Sequence, residues 1–141
     1  MTITNANLEN QSVNGENSNA FAILASELLS TATRTSGKFT NHKCRGLLFI
    51  VTTANEAGAA SFTPKILGYN AAGTSFVLAT FTAITTNATT ILIYYPQVLT
   101  GFSGTEAKVG QLPREWALEL TYAGTPATDK IDTKVDGMYL I

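Results

Sequence analysis

Charge is scarce in this 141-residue chain. Only 13% of its residues are Asp, Glu, Lys or Arg, against roughly 25% in ordinary soluble proteins. The formal net charge is -1 and there is no basic block, so the chain cannot neutralise a run of phosphates and no nucleic-acid partner is expected. It has one cysteine, Cys44, which excludes an intramolecular disulfide and points to synthesis in a reducing compartment. It has one histidine, His42, which cannot build a zinc site without other ligands. No apolar run approaches the ~20 residues that span a bilayer, so no membrane partner is expected. No basic segment followed by an apolar one opens the chain, so no secretory leader is expected either. Such a protein would leave a cell by lysis or inside a particle. The length fits a single domain able to bury a core without disulfide or metal. So weakly charged a surface suits a protein that lives in an assembly, though the composition equally describes a plain threonine-rich β-protein.

What the chain does have is alternation. From Trp116 onward, Trp116, Leu118, Leu120 and Tyr122 fall on one side, and Glu115, Ala117, Glu119 and Thr121 on the other. A period of two predicts a strand with one buried face. Trp116, the only tryptophan, anchors that face with the largest burial available. Pro113 precedes the strand, where a missing N–H costs no ladder bond. Gly124 closes it.

Taken in order, residues 1–19 read as an arm. Asn recurs at 5, 7, 10, 14, 17 and 19, and Ile3, Leu8 and Val13 are too sparse to form a core. They are instead the expected contact points of an arm that orders on a neighbouring subunit. Phe21–Ser30 fits either a helix or a strand, and the β character of the rest of the chain favours the strand. Leu28–Thr35 is expected to continue it. Arg45–Thr53 is a continuous apolar run, the pattern of a strand buried on both faces or nearly so. Ser61–Ala71 is a strand in which Pro64 argues for an edge or a bulge. Ala71–Thr74 is a hairpin turn around Gly73. Ser75–Thr80 returns from it, and Phe81–Thr86 is expected to extend that strand. Thr89–Tyr95 is a strand stopped by Pro96. Gln97–Gln111, with three glycines, reads as a long mobile or contact loop. Lys130–Ile141 supplies a last strand. Seven or eight short strands without a βαβ rhythm mean an all-β fold: an arm over 1–19 and, over 20–141, a single antiparallel β-sandwich or jelly-roll-like domain. Ig-like and jelly-roll topologies stay equally open.

No reactive constellation emerges, so no catalytic, cofactor or metal site is expected. His42 and Cys44 would share one face of a strand, but two ligands are too few for a metal, and a nucleophilic pair would need an orienting third group. Asp129, Asp132 and Asp136 lack the ligand spacing of a calcium loop, and Lys130 and Lys134 interleave with them. Glu115 and Glu119 lie roughly 13 Å apart along a strand, too far for a retaining glycosidase pair. Asn10-Gln11-Ser12 and Asn87-Ala88-Thr89 match the glycosylation sequon, which means little without a secretory signal. Tyr69, Tyr94, Tyr95 and Trp116 could make a sugar platform if exposed, but their strand positions favour the core.

A family likeness rests on short motifs in a fixed order: Thr33-Arg34-Thr35, Asn41 with Arg45-Gly46-Leu47, a glycine-turn hairpin, Tyr95-Pro96, then Leu112-Pro113-Arg114-Glu115-Trp116 and a closing tyrosine-bearing strand. Over residues 30–141 this order resembles the capsid cement, or decoration, proteins of tailed bacteriophage virions. Ala117 and Leu118 stand where similar sequences carry polar residues. The resemblance implies a non-enzymatic β-sandwich on the outer capsid surface, partnered by the major capsid protein and by itself as a homotrimer. It implies synthesis in the host cytoplasm and residence in the virion. A tail, neck or head-fibre component with a carbohydrate-binding face is the alternative expectation.

Overall fold

The computed structural model describes residues 20–85, 87–98 and 105–141. Among them there is no helix. Ten strands follow one another: β1 (Ala20–Leu29), β2 (Thr33–Thr35), β3 (Phe39–Thr40), β4 (Gly46–Ala57), β5 (Ser61–Tyr69), β6 (Ser75–Thr80), β7 (Ala88–Tyr95), β8 (Glu106–Val109), β9 (Glu115–Ala123) and β10 (Lys130–Leu140). They form two sheets. The first has the order β1-β10-β4-β7-β8; the second has the order β2-β9-β5-β6, with β3 also paired to β9. Every pairing is antiparallel except that of β7 with β8. The inward residues of both sheets meet in one core, the arrangement of a β-sandwich.

The strand around Trp116 buries the face its alternation predicts, although Ala117 on the other face is buried as well. Trp116, Leu118, Leu120 and Tyr122 on β9 are all buried, Trp116 completely. Trp116 stacks on Phe39 at 4.8 Å and meets Phe49 of the opposite sheet at 6.1 Å. Its Nε1–H donates to the Tyr139 hydroxyl at 3.2 Å, which satisfies the one polar atom of a buried indole. Gly68 lies directly opposite on β5, and the space a side chain would take there is filled by Phe76 and Leu78 of β6.

Several expectations are corrected. Phe21–Ser30 is a strand, but it does not run on to Thr35. The chain breaks after Leu29 because β1 pairs with β10 in one sheet and β2 with β9 in the other; residues 30–32 make the crossing, and the Ala32 carbonyl accepts the Tyr122 N–H. Pro64 is at neither an edge nor a bulge, since β5 lies between β9 and β6. Its carbonyl accepts the Phe81 N–H, so its nitrogen also faces the β6 side. There β6 has already ended at Thr80, and no ladder bond is lost. Residues 81–85 do not extend β6: Phe81 turns into the core and Ile84 makes a lone bridge to Phe62. The long loop expected over 97–111 contains β8, which lies parallel to β7 with Leu92 opposite Glu106. The hairpin turn is as expected: Gly73 has φ 84°, and the Asn70 side-chain oxygen accepts the N–H groups of Ala72 and Thr74.

Candidate assembly surface

β4 does not have two equivalent faces. Leu47, Phe49, Val51 and Thr53 point into the core and are buried, while Leu48 and Ile50 point outward and are half-buried. On β7, Thr90, Leu92 and Tyr94 point inward and Ile91, Ile93 and Tyr95 outward; Ile91 and Tyr95 are half-buried, while Ile93 is itself buried among its neighbours on that face. An outward face facing water would carry polar residues; here it carries large apolar ones.

The strand register aligns them. Met138 on β10 lies opposite Leu48, Leu48 opposite Ile93, and Ile93 opposite Ala107 on β8. Tyr95 lies opposite Val109, which is 61% exposed. Further along, Ile50 lies opposite Ile91. An apolar band thus crosses the outer face of the first sheet at the Leu140 end of β10. At the other end the face turns polar: Lys134 lies opposite Thr52, and Thr52 opposite Thr89. Lys134 pairs with Asp136 at 3.4 Å across exposed surface, a contact worth little by itself. A contiguous apolar band on a sheet face is the mark of an interaction surface. Its sequence trace is the continuous apolar character of LLFIV and ILIYY. That signal is legible, but which of its residues face outward depends on the register.

The other candidate residues do not converge. Trp116, Leu118, Leu120 and Tyr122 are scaffold, sealed in the core. Ile3, Leu8 and Val13 lie outside the described residues. His42 and Cys44 sit in a turn rather than on a strand, so they do not share a face. Asn41 holds that turn: its Oδ1 accepts the Cys44 N–H, and its Nδ2–H donates to the Cys44 carbonyl, both at 2.8 Å. Burial pushes the Cys44 thiol up, outweighing a backbone hydrogen bond at Lys43, the opposite of what a nucleophilic thiolate needs. Among the described residues no three His, Cys, Asp or Glu side chains are grouped to hold a metal.

The three aspartates have separate tasks. Asp129 accepts N–H groups from Thr125 at 2.8 Å and Ala59 at 3.2 Å and so clamps two turns together. Asp132 accepts the Ser26 hydroxyl, and Asp136 pairs with Lys134. Glu115 pairs with Lys38 at 3.8 Å, and Glu119 lies opposite Lys65 and Thr35. A sugar platform does not form: Tyr94 and Trp116 are buried, and Tyr69 and Tyr95 lie in different sheets, under Lys38 and Arg45 respectively. A cleft of about 170 Å³ opens between Thr82, Ile84, Thr90, Leu92, Thr105 and Glu106. Its one carboxylate is already engaged. Burial alone would raise Glu106, but the Thr82 N–H and the Lys108 ammonium hold it below the usual range.

Compared with protein-family models, with curated proteins and with solved structures, the chain matches none of them.

Proposed function

We propose that this protein is a non-enzymatic virion structural protein, a cement subunit that binds the outer surface of a phage head and strengthens the contacts between major capsid proteins. The observation that carries the reading is the apolar band on the outer face of the first sheet. Such a face is costly to leave in water and stabilising to cover. The motif order around Tyr95-Pro96 and Leu112–Trp116 gives the reading its direction, and the low charge of the chain agrees with it.

The fold we propose is a jelly roll. Eight strands read β1-β10-β4-β7 against β2-β9-β5-β6, two interleaved Greek keys, with β3 and β8 as additions. Residues 1–19 act as an arm on a neighbouring subunit, and the working unit is a homotrimer. Several weak contacts, each multiplied by that valency, give tight attachment without any strong single site.

The test is to mix purified protein with undecorated capsids. Saturable coverage of the whole head and a raised particle melting temperature are expected, and Leu48→Asp combined with Val109→Asp should weaken both at least tenfold while the free protein stays folded. Attachment at a single vertex would replace this reading with a tail or neck component. Glycan binding without capsid would replace it with a carbohydrate-binding one.

A further inference from the structure

We propose that the free edge of β6 is a second association site, at which the same strand of another copy adds antiparallel about a two-fold axis through Phe76. Exposed strand edges present unpaired N–H and C=O groups, and proteins guard them with short length, charge, proline or bulges. The edges here differ in how they are guarded. β1 is interrupted by two register shifts and carries Glu27, which Arg34 engages. β8 is four residues long and carries Glu106 and Lys108. β2 is three residues long and carries Arg34.

β6 has little such protection. Its six residues, SFVLAT, include no charge and no proline. Phe76 is 47% and Val77 53% exposed. Among the described residues it pairs with β5 alone. One register shift falls at Leu78, between the pairs Leu67–Val77 and Ile66–Ala79, and leaves Ser75–Val77 regular.

The backbone geometry selects the register. The Thr74 carbonyl accepts the Asn70 N–H, so the polar groups of Thr74, and by alternation of Phe76, face β5. Those of Ser75 and Val77 face away, and no other strand among the described residues pairs with them. An axis through Phe76 sets Ser75 opposite Val77 on both sides of it, and each such pair exchanges two N–H···O bonds. Phe76 then meets Phe76 as a close, non-hydrogen-bonded pair, an aromatic apposition that favours strand pairing. An axis through Val77 would set Ser75 against Ala79, beyond the bulge, and forfeit half of those bonds. A second copy fits for a further reason. Self-pairing sets like residues near one another, which is harmless only where none is charged, and β6 meets that condition where β1, β2 and β8 do not. The contact is independent of how many copies the apolar face gathers; whatever unit that face makes, this edge doubles it.

Val77→Pro removes one of the two outward N–H donors of each copy, and with it half of the proposed bonds, without touching the β5 ladder. Wild-type protein should sediment at tens of micromolar with twice the mass of this variant, at unchanged melting temperature; equal masses for the two folded proteins would overturn the proposal. Should Val77→Pro fail to fold, Phe76→Cys in a Cys44→Ala background decides. The two cysteines would face each other at a separation a disulfide can span, so a covalent dimer that reductant dissolves is expected on oxidation. A folded protein that stays uncrosslinked, as it would if residues 1–19 of its own chain or a different partner covered the edge, would overturn it.

Discussion

Trp116 sits where four other aromatic rings converge: Phe21, Phe39, Phe49 and Tyr139. Truncating it would empty the space between the sheets and remove the indole N–H that donates to the Tyr139 hydroxyl. Trp116→Ala should therefore cost about 3–5 kcal/mol in urea unfolding, the range for a large aromatic removed from a core; an unchanged midpoint would contradict the placement. Thr133 predicts the opposite sign. It is fully buried, and its hydroxyl has no hydrogen-bond partner among the described residues. Thr133→Val replaces that hydroxyl with a methyl and should stabilise by about 1–2 kcal/mol, read as a raised urea midpoint at constant slope. Asp129 sets a pH dependence. The Thr125 and Ala59 N–H groups hold its carboxyl below the usual aspartate range. A depressed folded value means stability that is present above the ordinary pKa of about 3.9 and is lost as pH falls through the lower folded one. The gap in melting temperature between wild type and Asp129→Asn should accordingly be widest at neutral pH and close below about pH 4; a constant gap would remove the carboxylate from the account.

At the scale of strands, Gly46 decides how closely β4 and β7 approach. A Cβ there would lie 2.2 Å from the Tyr94 carbonyl oxygen and 3.1 Å from the Tyr95 Cα. Those atoms are backbone, so the strands must move to admit it. Gly46→Ala should cost at least the ~1–3 kcal/mol typical of overpacking and blunt the cooperativity of thermal unfolding, visible by calorimetry. A variant that melts as wild type would mean the two strands slide freely at that end. The same pair of strands carries the outward Leu48, Ile50, Ile91 and Ile93, so strain at Gly46 should also weaken whatever that face binds.

For the whole molecule, the low charge and the apolar sheet face both fit the proposed assembly role, in which that face would meet a partner. An arm over residues 1–19 would do nothing for a single copy. Ordering 19 residues costs about 1–2 kcal/mol each, and Ile3, Leu8 and Val13 would return only about 1.5–3 kcal/mol apiece. Deleting residues 2–19 should leave the melting temperature of the free protein within a degree or two, while weakening capsid attachment and its resistance to salt. A truncated protein that decorates capsids with full affinity would show the arm to be inert.

The sequence by itself determined the all-β class, the poverty of residues 1–19 in apolar side chains and the buried face of β9. Each rests on local rules: a period of two and sparse apolar content. It also carried the trace of the apolar outer face in the unbroken runs of β4 and β7. Only the tertiary structure decided which sheet each strand joins. The break after Leu29, the central place of Pro64 and the parallel β8 all depend on pairings between residues far apart in the chain, and no local pattern encodes a distant register. The place of β6 is of the same kind: SFVLAT reads as an ordinary strand, and only the pairings show that among the described residues β5 is its one neighbour.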